Sequence, residues 1–251
     1  MNKGATMYNV ERQQQILKIL SQRKRCSVNE LAAILYVSAA TVRRDLNALA
    51  ANGKLQKVFG GALYPEHYAE EVPFAVRKED RVAAKQNICA KAAPLLREGM
   101  TLFFDASTTP EKLIPYLKQF RHLQIITNNP RLPILLADST LEVYCTGGRL
   151  SHSSQAYVGS IAEDVIRGMN ADLFIFSARG ITEDGHITDS AQMESHLKQV
   201  MLSHAKLSCF LCDSGKIGSA YLCTVADCAD VDYVFSEIAL PIHLLGGKQR
   251  H

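Results

Sequence analysis

The sequence predicts an α/β protein with two parts: a small N-terminal winged helix-turn-helix domain and a doubly wound, mainly parallel sheet domain. Residues 27–46 have the pattern of two short helices joined by a tight turn, and residues 54–62 alternate polar and apolar side chains. From about Arg77, short β-rich runs alternate with helical patterns. We therefore assign 1–62 to the first domain, 63–76 to a linker, 77–238 to the second domain and 239–251 to a polar, frayed tail.

The first domain is expected to form around three helices. The first spans Glu11 to Ser21, and the second and third belong to the helix pair. Ser38 is the expected N-cap of the third helix, because a serine hydroxyl accepts a hydrogen bond from an amide of the first turn. Val42, Leu46 and Leu49 follow at i, i+4 and i+7, so they lie on one face and pack inward.

The opposite face of the third helix has the composition of a surface that reads DNA. It offers a small residue for close approach, arginines for guanine edges or phosphates, and an amide for adenine. Asp45 lies between the two faces, so we expect an internal ion pair, for which Arg12 is one partner. The residues of this helix expected to bind DNA are Ser38, Ala40, Thr41, Arg43, Arg44 and Asn47.

The segment after the third helix predicts a short β-ribbon, or wing, that ends in a glycine pair. Asn52 and Gly53 stop the helix, and Lys54 and Lys57 are placed to touch phosphates. Residues 1–62 hold ten basic and three acidic residues, a net charge of +7, whereas the remainder holds 18 basic and 22 acidic residues, a net of −4. Positive charge concentrated in a helix-turn-helix segment is typical of a nucleic-acid-binding domain.

Alternating strands and helices predict that the second domain is a parallel sheet covered on both faces. The expected strands are Thr101–Phe104, Leu123–Thr127, Leu141–Cys145, Leu173–Ser177, Leu207–Cys212 and Tyr233–Ser236. The expected helices are Arg81–Arg97, Glu111–Lys118, Arg131–Ala137, Ser160–Gly168 and Met193–His204.

Polar residues follow five of these strands at their carboxyl ends, where open α/β sheets bind ligands. The hydroxyl-rich loop after the first strand runs into a helix, so its amides can cradle an anion. The other strand ends add amides, glycines and cations, which suits a polyhydroxylated anion such as a sugar phosphate, with Asp105 accepting from sugar hydroxyls. The residues expected to line this pocket are Asp105, Ser107, Thr108, Thr109, Asn128, Gly147, Gly148, Arg149 and Lys216.

Cysteine usage predicts reduced, buried thiols, because most of the seven cysteines lie inside apolar runs, Cys145 among them. Cys209 and Cys212 have the spacing of half a zinc site, but in a strand their side chains point to opposite faces, and no second Cys/His pair stands at metal spacing. We expect no metal and no cofactor, since the dinucleotide and Walker glycine patterns are also absent.

A cytoplasmic location is expected from the hydropathy of the chain. No apolar run approaches the roughly 20 residues of a membrane span. The first ten residues are polar and lack the apolar core of a signal peptide.

Motifs across residues 8–236 resemble those of DeoR-type transcriptional regulators. In the first domain these are Val28-x-x-Leu31-Ala32, Val37-Ser38-x-x-Thr41-Val42-Arg43-Arg44-Asp45-Leu46 and Gly60-Gly61-Ala62. In the second domain they are Arg77, Lys85, Asp105-x-Ser107-Thr108-Thr109, Ile126-Thr127-Asn128, Gly147-Gly148, Glu194-x-x-x-Lys198 and Asp213-Ser214-x-Lys216-x-Gly218.

The resemblance implies a repressor whose sensor domain is related in fold to ribose-5-phosphate isomerase. It implies a phosphorylated sugar or related metabolite as effector, carbohydrate genes as targets, a double-stranded DNA operator and a homodimer or homotetramer. It also adds Arg77 and Lys85 to the expected effector-binding residues. Ser107 stands where many members have glycine, and Phe59 where histidine is common.

Two other functions stay open at the level of sequence. The chain could be a sugar-phosphate isomerase fused to a DNA-binding domain, with Asp105 or Asp213 and Lys216 as the base and acid. Alternatively, the second domain could serve only to dimerise the first.

Overall fold

The computed structural model describes residues 9–23, 25–51, 55–58, 60–63 and 72–249, and the chain divides into two compact units, residues 1–70 and 71–251. Asn52, Gly53, Lys54 and Phe59, which the sequence analysis assigned to the wing and its approach, lie outside the described ranges. Within those ranges, no helix has both the length and the hydropathy needed to cross a membrane.

The first unit combines three helices with a small antiparallel sheet. The ribbon β2–β3 is the predicted wing, and β1, which the sequence analysis missed, pairs with the other side of β3. The elements are α1 (Asn9–Arg23), β1 (Arg25–Ser27), α2 (Val28–Leu35), α3 (Ala39–Ala51), β2 (Gln56–Val58) and β3 (Gly61–Leu63).

Helical periodicity decides which side chains enter the core of this unit. Val42, Leu46 and Leu49 of α3 are buried, as predicted, and Ile16 and Leu20 of α1 pack in the same cluster. The spacing of these residues thus fixes α1 and α3 against one core and leaves the other face of α3 to solvent.

The sequence predicted that the glycine pair ends the wing. In the structure the pair lies instead at the turn between β2 and β3. Gly60 has a φ of +80°, which favours glycine, and Gly61 is the first residue of β3. A Cβ on Gly61 would lie 2.3 Å from the carbonyl oxygen of Cys26, so only glycine allows β1 and β3 to approach this closely.

The second unit alternates helices and strands, with two smaller β-structures inserted between them. The first part comprises α4 (Phe74–Glu79), α5 (Val82–Ala92), β4 (Thr101–Phe104), α6 (Ile114–Leu117), β5 (Gln124–Thr127), α7 (Leu132–Leu135), β6 (Glu142–Cys145), β7 (Arg149–Ser151) and β8 (Ala156–Val158). The second part comprises α8 (Ser160–Arg167), β9 (Leu173–Phe176), β10 (Gly180–Ile181), β11 (His186–Asp189), α9 (Gln192–Ser203), β12 (Ser208–Leu211), β13 (Cys223–Asp227) and β14 (Tyr233–Phe235).

The six strands predicted from the sequence form one parallel sheet in the order β14-β12-β9-β4-β5-β6, which confirms the predicted fold class. Both faces of the sheet are covered. Neighbouring residues of one strand point to opposite faces and pack in two different hydrophobic clusters. On β4, Phe103 packs in one cluster with Ile166 of α8, whereas Leu102 and Phe104 pack in the other with Ile88 of α5.

Parallel register brings the carboxyl ends of the strands to one edge of the sheet. Phe104 at the end of β4 pairs with Thr127 at the end of β5, and Thr127 lies near Cys145 of β6 in the same register. On the other side, Phe104 pairs with Ile175 of β9. The loops that follow these strands therefore start beside one another, as the pocket prediction requires.

Cysteine burial follows the strand geometry for two residues and departs from it for a third. Cys209 and Cys212 pack in the clusters on opposite faces of the sheet, as predicted, and burial raises the pKa of Cys212 to about 12. Cys145 is exposed, contrary to expectation; it is the last residue of β6, which lies at the edge of the sheet.

The predicted linker and tail are partly wrong. Leu63 belongs to β3, and Phe74 begins α4 with its side chain almost fully buried, so the described ends of the 63–76 segment are ordered parts of the two units. Near the C-terminus, Leu244 joins the core and the Gln249 side chain accepts from the Val234 amide at 2.6 Å. These segments are mostly polar in sequence, so the few residues that anchor each of them to its unit were not predicted.

An ion pair braces α3 against α1. Asp45 is buried, and its carboxylate accepts from Arg12, with Nε 2.5 Å from Oδ2 and Nη2 3.2 Å from Oδ1. This contact confirms the internal partner expected for Asp45 and shows how an acidic residue is accommodated on a helix whose exposed face is cationic.

Arg12→Met should destabilise α3 by about 3 kcal/mol, because Asp45 would keep a buried charge without its guanidinium partner. Hydrogen exchange of the α3 amides measures this free energy of local opening. Arg43→Met, on the exposed face, is the matched control and should change it by less than about 0.5 kcal/mol. Equal effects of the two substitutions would contradict the brace.

Candidate functional site

The N-terminus of α3 presents two hydroxyls that also cap the helix. Ser38 Oγ accepts from the Thr41 amide at 3.1 Å, as predicted, and the two hydroxyl oxygens lie 2.8 Å apart. Ser38 is exposed and Thr41 is half-buried, so the capping pair lies at the surface.

The outer face of α3 is polar and cationic. Ala40, Arg43, Arg44 and Asn47 are all exposed, on the side away from the buried leucines. Lys57 of the wing donates from Nζ to Asn47 Oδ1 at 2.5 Å, which ties the wing to this face. The exposed surface therefore joins an arginine pair, an amide and a wing lysine.

Asp105 organises the loop after β4. Its Oδ2 accepts from the Ser107 hydroxyl, from the Ser107 amide at 3.3 Å and from the Ser177 amide at 3.4 Å. The residue is buried, so this carboxylate oxygen holds the ends of β4 and β9 together. The geometry gives Asp105 a scaffolding role that the sequence analysis did not anticipate.

Asn128 holds the same loop from the neighbouring strand. Its Oδ1 accepts from the Ala106 amide at 3.0 Å, and its Nδ2 donates to the Tyr157 carbonyl at 3.3 Å. Thr108 and Thr109 follow, both buried, and among the described residues the Thr109 hydroxyl oxygen has no hydrogen-bond partner. Buried polar atoms without a partner are rare in folded proteins, and a bound water or ion is a common reason for one.

Lys216 and Lys85 bring two ammonium groups to the ends of β9 and β12. Lys216 Nζ donates to Ser177 Oγ at 2.7 Å and lies 3.6 Å from the carboxylate of Asp213. Lys85 is buried and donates to the Arg77 carbonyl. Burial, followed by the nearby Lys216 charge, lowers the pKa of Lys85 to about 8.

Charges of both signs surround Lys85. Arg81 Nε lies 3.7 Å from Asp213 Oδ1, and Arg77 and Lys216 both act on Lys85 as like charges. Asp80 and Asp213 are the carboxylates that oppose them at Lys85. Counting Lys85 itself, this position has four cations to two carboxylates, whereas Asp105, Asp189 and Glu194 add negative charge on the Lys198 side. An added anion is therefore favoured at the Lys85 end of this edge of the sheet.

The glycine pair and Arg149 have different surroundings. Gly147 has a φ of +64° and open space where a Cβ would stand. Gly148 has a φ of +107°, and a Cβ there would lie 3.0 Å from the Val158 carbonyl, so it permits close packing on β8. Arg149 is exposed on β7 with Nη2 2.9 Å from Met193 Sδ, apart from the contacts centred on Asp105.

A buried ionic group that the sequence pattern did not predict lies close to Asp105. Lys198 of α9 donates to Asp189 Oδ2 at 2.6 Å, and Arg179 Nε lies 3.7 Å from Asp189 Oδ1. Burial lowers the pKa of Lys198, but the carboxylates of Asp105, Asp189 and Glu194 outweigh burial and raise it. The Glu194-x-x-x-Lys198 motif was the available signal, since a lysine in the buried stripe of a helix requires a partner.

Two protein-family models match the two units of the chain. A model described as the DeoR C-terminal sensor domain matches residues 80–237, and a DeoR-like helix-turn-helix domain matches residues 12–67. The chain belongs to the DeoR family of transcriptional regulators.

Relatives within the DeoR family align along most of their length. The HTH-type transcriptional regulator GolR of Listeria innocua is 31% identical, with 92% of this chain and 91% of the relative covered. The L-fucose operon activator of Haemophilus influenzae is 31% identical, with 96% of each chain covered. The glycerol-3-phosphate regulon repressor of Escherichia coli is 27% identical, with 95% of each chain covered.

Solved structures similar to this DeoR-family chain include ribose 5-phosphate isomerase A from Methanocaldococcus jannaschii. The two are 13% identical, 53% of each chain is covered, and the TM-score is 0.39. This level of likeness carries no argument about activity.

The described ranges contain no group of three or more His, Cys, Asp or Glu side chains arranged to hold an ion.

Anion affinity of the sensor domain should fall as the pH rises through about 8, because Lys85 loses its proton there and with it one positive charge. Titration with inorganic sulfate, whose charge is constant over this range, measures the effect. Lys85→Arg keeps its charge and should flatten the pH dependence. An equal fall in sulfate affinity with pH in both proteins would show that Lys85 is not part of the anion site.

Proposed function

We propose that this DeoR-family regulator is a repressor of carbohydrate-metabolism genes that a phosphorylated sugar or related metabolite releases or repositions on its operator. The observation that carries the proposal is the cation-rich group at the carboxyl ends of the strands, in a chain whose other unit exposes paired arginines on a helix-turn-helix. One unit thus has the chemistry to bind an anion, and the other has the chemistry to bind DNA.

DNA contact is proposed for the exposed face of α3 and for the wing. Arg43, Arg44 and Asn47 are exposed and project from a helix whose other face is locked in the core. Ser38, Ala40 and Thr41 lie at the end of α3 that a recognition helix points towards base edges. Lys57 contributes a charge from the wing, and Lys54 is proposed for the same role from the sequence alone.

Effector binding is proposed for the group around Ser107, Lys85 and Lys216. The ammonium groups and Arg77 supply charge for a phosphate, and the loop amides and hydroxyls supply donors. Gly147 leaves open space beside this edge of the sheet. The remaining residues proposed here are Asp105, Thr108, Thr109, Asn128, Gly148 and Arg149.

The names of the relatives fit a phosphorylated effector. One of them is a glycerol-3-phosphate regulon repressor, and another is a lactose phosphotransferase system repressor from Staphylococcus epidermidis that is 30% identical. The fucose regulator is named an activator. The repressor assignment therefore follows the two relatives that are named repressors.

A regulator without catalytic activity is proposed in preference to an isomerase. An isomerase needs a carboxylate open to the substrate carbon, but Asp105 Oδ2 already accepts three hydrogen bonds from its own loop and from Ser177. Lys216 is likewise engaged with Ser177 and Asp213. A cytoplasmic homodimer or homotetramer completes the proposal, since operators with two half-sites match dimers.

Arg44→Ala should weaken operator binding by about 1 to 3 kcal/mol, roughly 5- to 150-fold, because it removes a base-edge or phosphate contact. The probe is a duplex selected from a random-sequence library by the unmodified protein, titrated at fixed salt. Arg97→Ala, an exposed arginine of the other unit, is the control and should bind normally. Normal binding by the Arg44 variant would defeat the assignment of this face.

A screen of phosphorylated sugars should identify one that raises the free energy of unfolding by about 2.7 kcal/mol when present at 100 times its Kd. Lys216→Gln should abolish the gain, and Lys206→Gln, at an exposed lysine, should keep it. The unmodified protein should bind ribose 5-phosphate or related aldose phosphates without converting them. Turnover would favour the isomerase, and no stabilisation by any compound would favour a purely dimerising domain.

A further inference from the structure

Two arginines, Arg77 and Arg179, bind the first described residues of the sensor unit. Val72 follows directly on the segment that joins this unit to the DNA-binding unit. Its carbonyl oxygen accepts from Arg77 Nε at 2.8 Å and from Arg179 Nη1 at 3.5 Å. Two guanidinium groups therefore converge on one neutral oxygen.

Both arginines are connected to the candidate effector site. Lys85 donates to the Arg77 carbonyl, and Arg77 and Lys216 both act on the Lys85 charge. Arg179 follows β9, three residues after Phe176, and lies 3.7 Å from Asp189 in the buried ionic group. Through these two arginines, the Val72 carbonyl is thus connected to Lys85 and to the buried ionic group around Asp189.

Phe74 anchors the same segment from the other side. Its amide donates to the Ser153 carbonyl at 2.9 Å, and its ring is buried beneath the Arg131 guanidinium, 3.7 Å from the ring centre. The Arg77 guanidinium lies 5.7 Å from the same ring centre. We call Val72, Phe74 and the three arginines Arg77, Arg131 and Arg179 the linker clamp.

We infer that Arg77 and Arg179 bind the phosphate of the effector, and that phosphate displaces the Val72 carbonyl from them and so opens the linker clamp. This inference rests on the proposed function. A phosphate oxygen is a stronger acceptor for guanidinium than the Val72 carbonyl, since it carries the opposite charge and phosphate can accept two parallel N–H bonds from one arginine. The planar guanidinium donors also match phosphate geometry.

Opening the clamp links the effector site to the DNA-binding unit through the chain itself. Effector and clamp compete for the same donors, so each weakens the other by the same factor. With the clamp closed, the linker starts from a fixed point on the sensor unit. With the clamp open, that point is released, which changes the freedom of the DNA-binding unit to engage its operator.

Phe74→Trp tests the inference, because the chain has no tryptophan and the new one reports on the clamp alone. Inorganic phosphate is the probe, added to the full chain. We expect the emission of residue 74 to shift to longer wavelength as phosphate saturates, since the ring leaves the Arg131 face for water. Tyr233→Trp, at the amino end of β14, is the control and should show no shift.

The thermal unfolding of the same samples separates the possible failures. Stabilisation by phosphate with no emission shift at residue 74 would overturn the inference and leave the proposed anion site standing. Absence of both effects would contradict the anion site itself, and the inference would fail with it. An equal shift at the two reporters would indicate a general loosening and would also overturn it.

Hydrogen exchange in the unmodified protein covers the case in which the tryptophan variant does not fold. The Phe74 amide is bonded to Ser153, so phosphate should speed its exchange while protecting the loop that follows β4. Slower or unchanged exchange at Phe74 would contradict release.

Arg179→Gln tests the residue that the inference adds to the site. Loss of one charged donor should weaken phosphate binding by about tenfold. Arg97→Gln, an exposed arginine of the same unit, is the matched control and should bind phosphate normally. Unchanged affinity in the Arg179 variant would remove this residue from the phosphate site.

Discussion

Parallel pairing of six strands, of which the central ones are buried, is the constraint on which the sensor unit depends. Because both faces of the sheet are covered, the strands themselves are apolar, and polar chemistry is confined to the loops at their ends. The register then places these loops side by side, so Asp105, Asn128 and Ser177 can form one hydrogen-bonded group although they are far apart in sequence. The site is a consequence of the sheet more than of any single motif.

Periodicity explains why much of this architecture could be predicted. The strands are short apolar runs bounded by polar loops, and α3 repeats its buried residues every three to four positions, so local pattern alone locates them. The same pattern identified the exposed side of α3 and the flank position of Asp45. Residues at strand ends could be nominated because the carboxyl edge of such a sheet is where ligands bind.

Other features depend on partners that a local pattern does not reveal. Strand β1 has three residues and exists only because Gly61 allows β3 to approach it. Lys198 is buried because Asp189 and two further carboxylates surround it, and Phe74 is buried because Arg131 covers its ring. In each case the deciding contact joins segments that are distant in the chain, so sequence spacing carries little information about it.

The bond between Lys57 and Asn47 has a consequence for the evolution of DNA recognition. Reading adenine requires asparagine to accept and to donate at once. With Oδ1 held by the wing lysine, Asn47 presents only its Nδ2 donor. With the DNA contact proposed for Asn47, base preference is a joint property of helix and wing, so paralogues with the same recognition helix can diverge in operator choice through a single substitution in the ribbon.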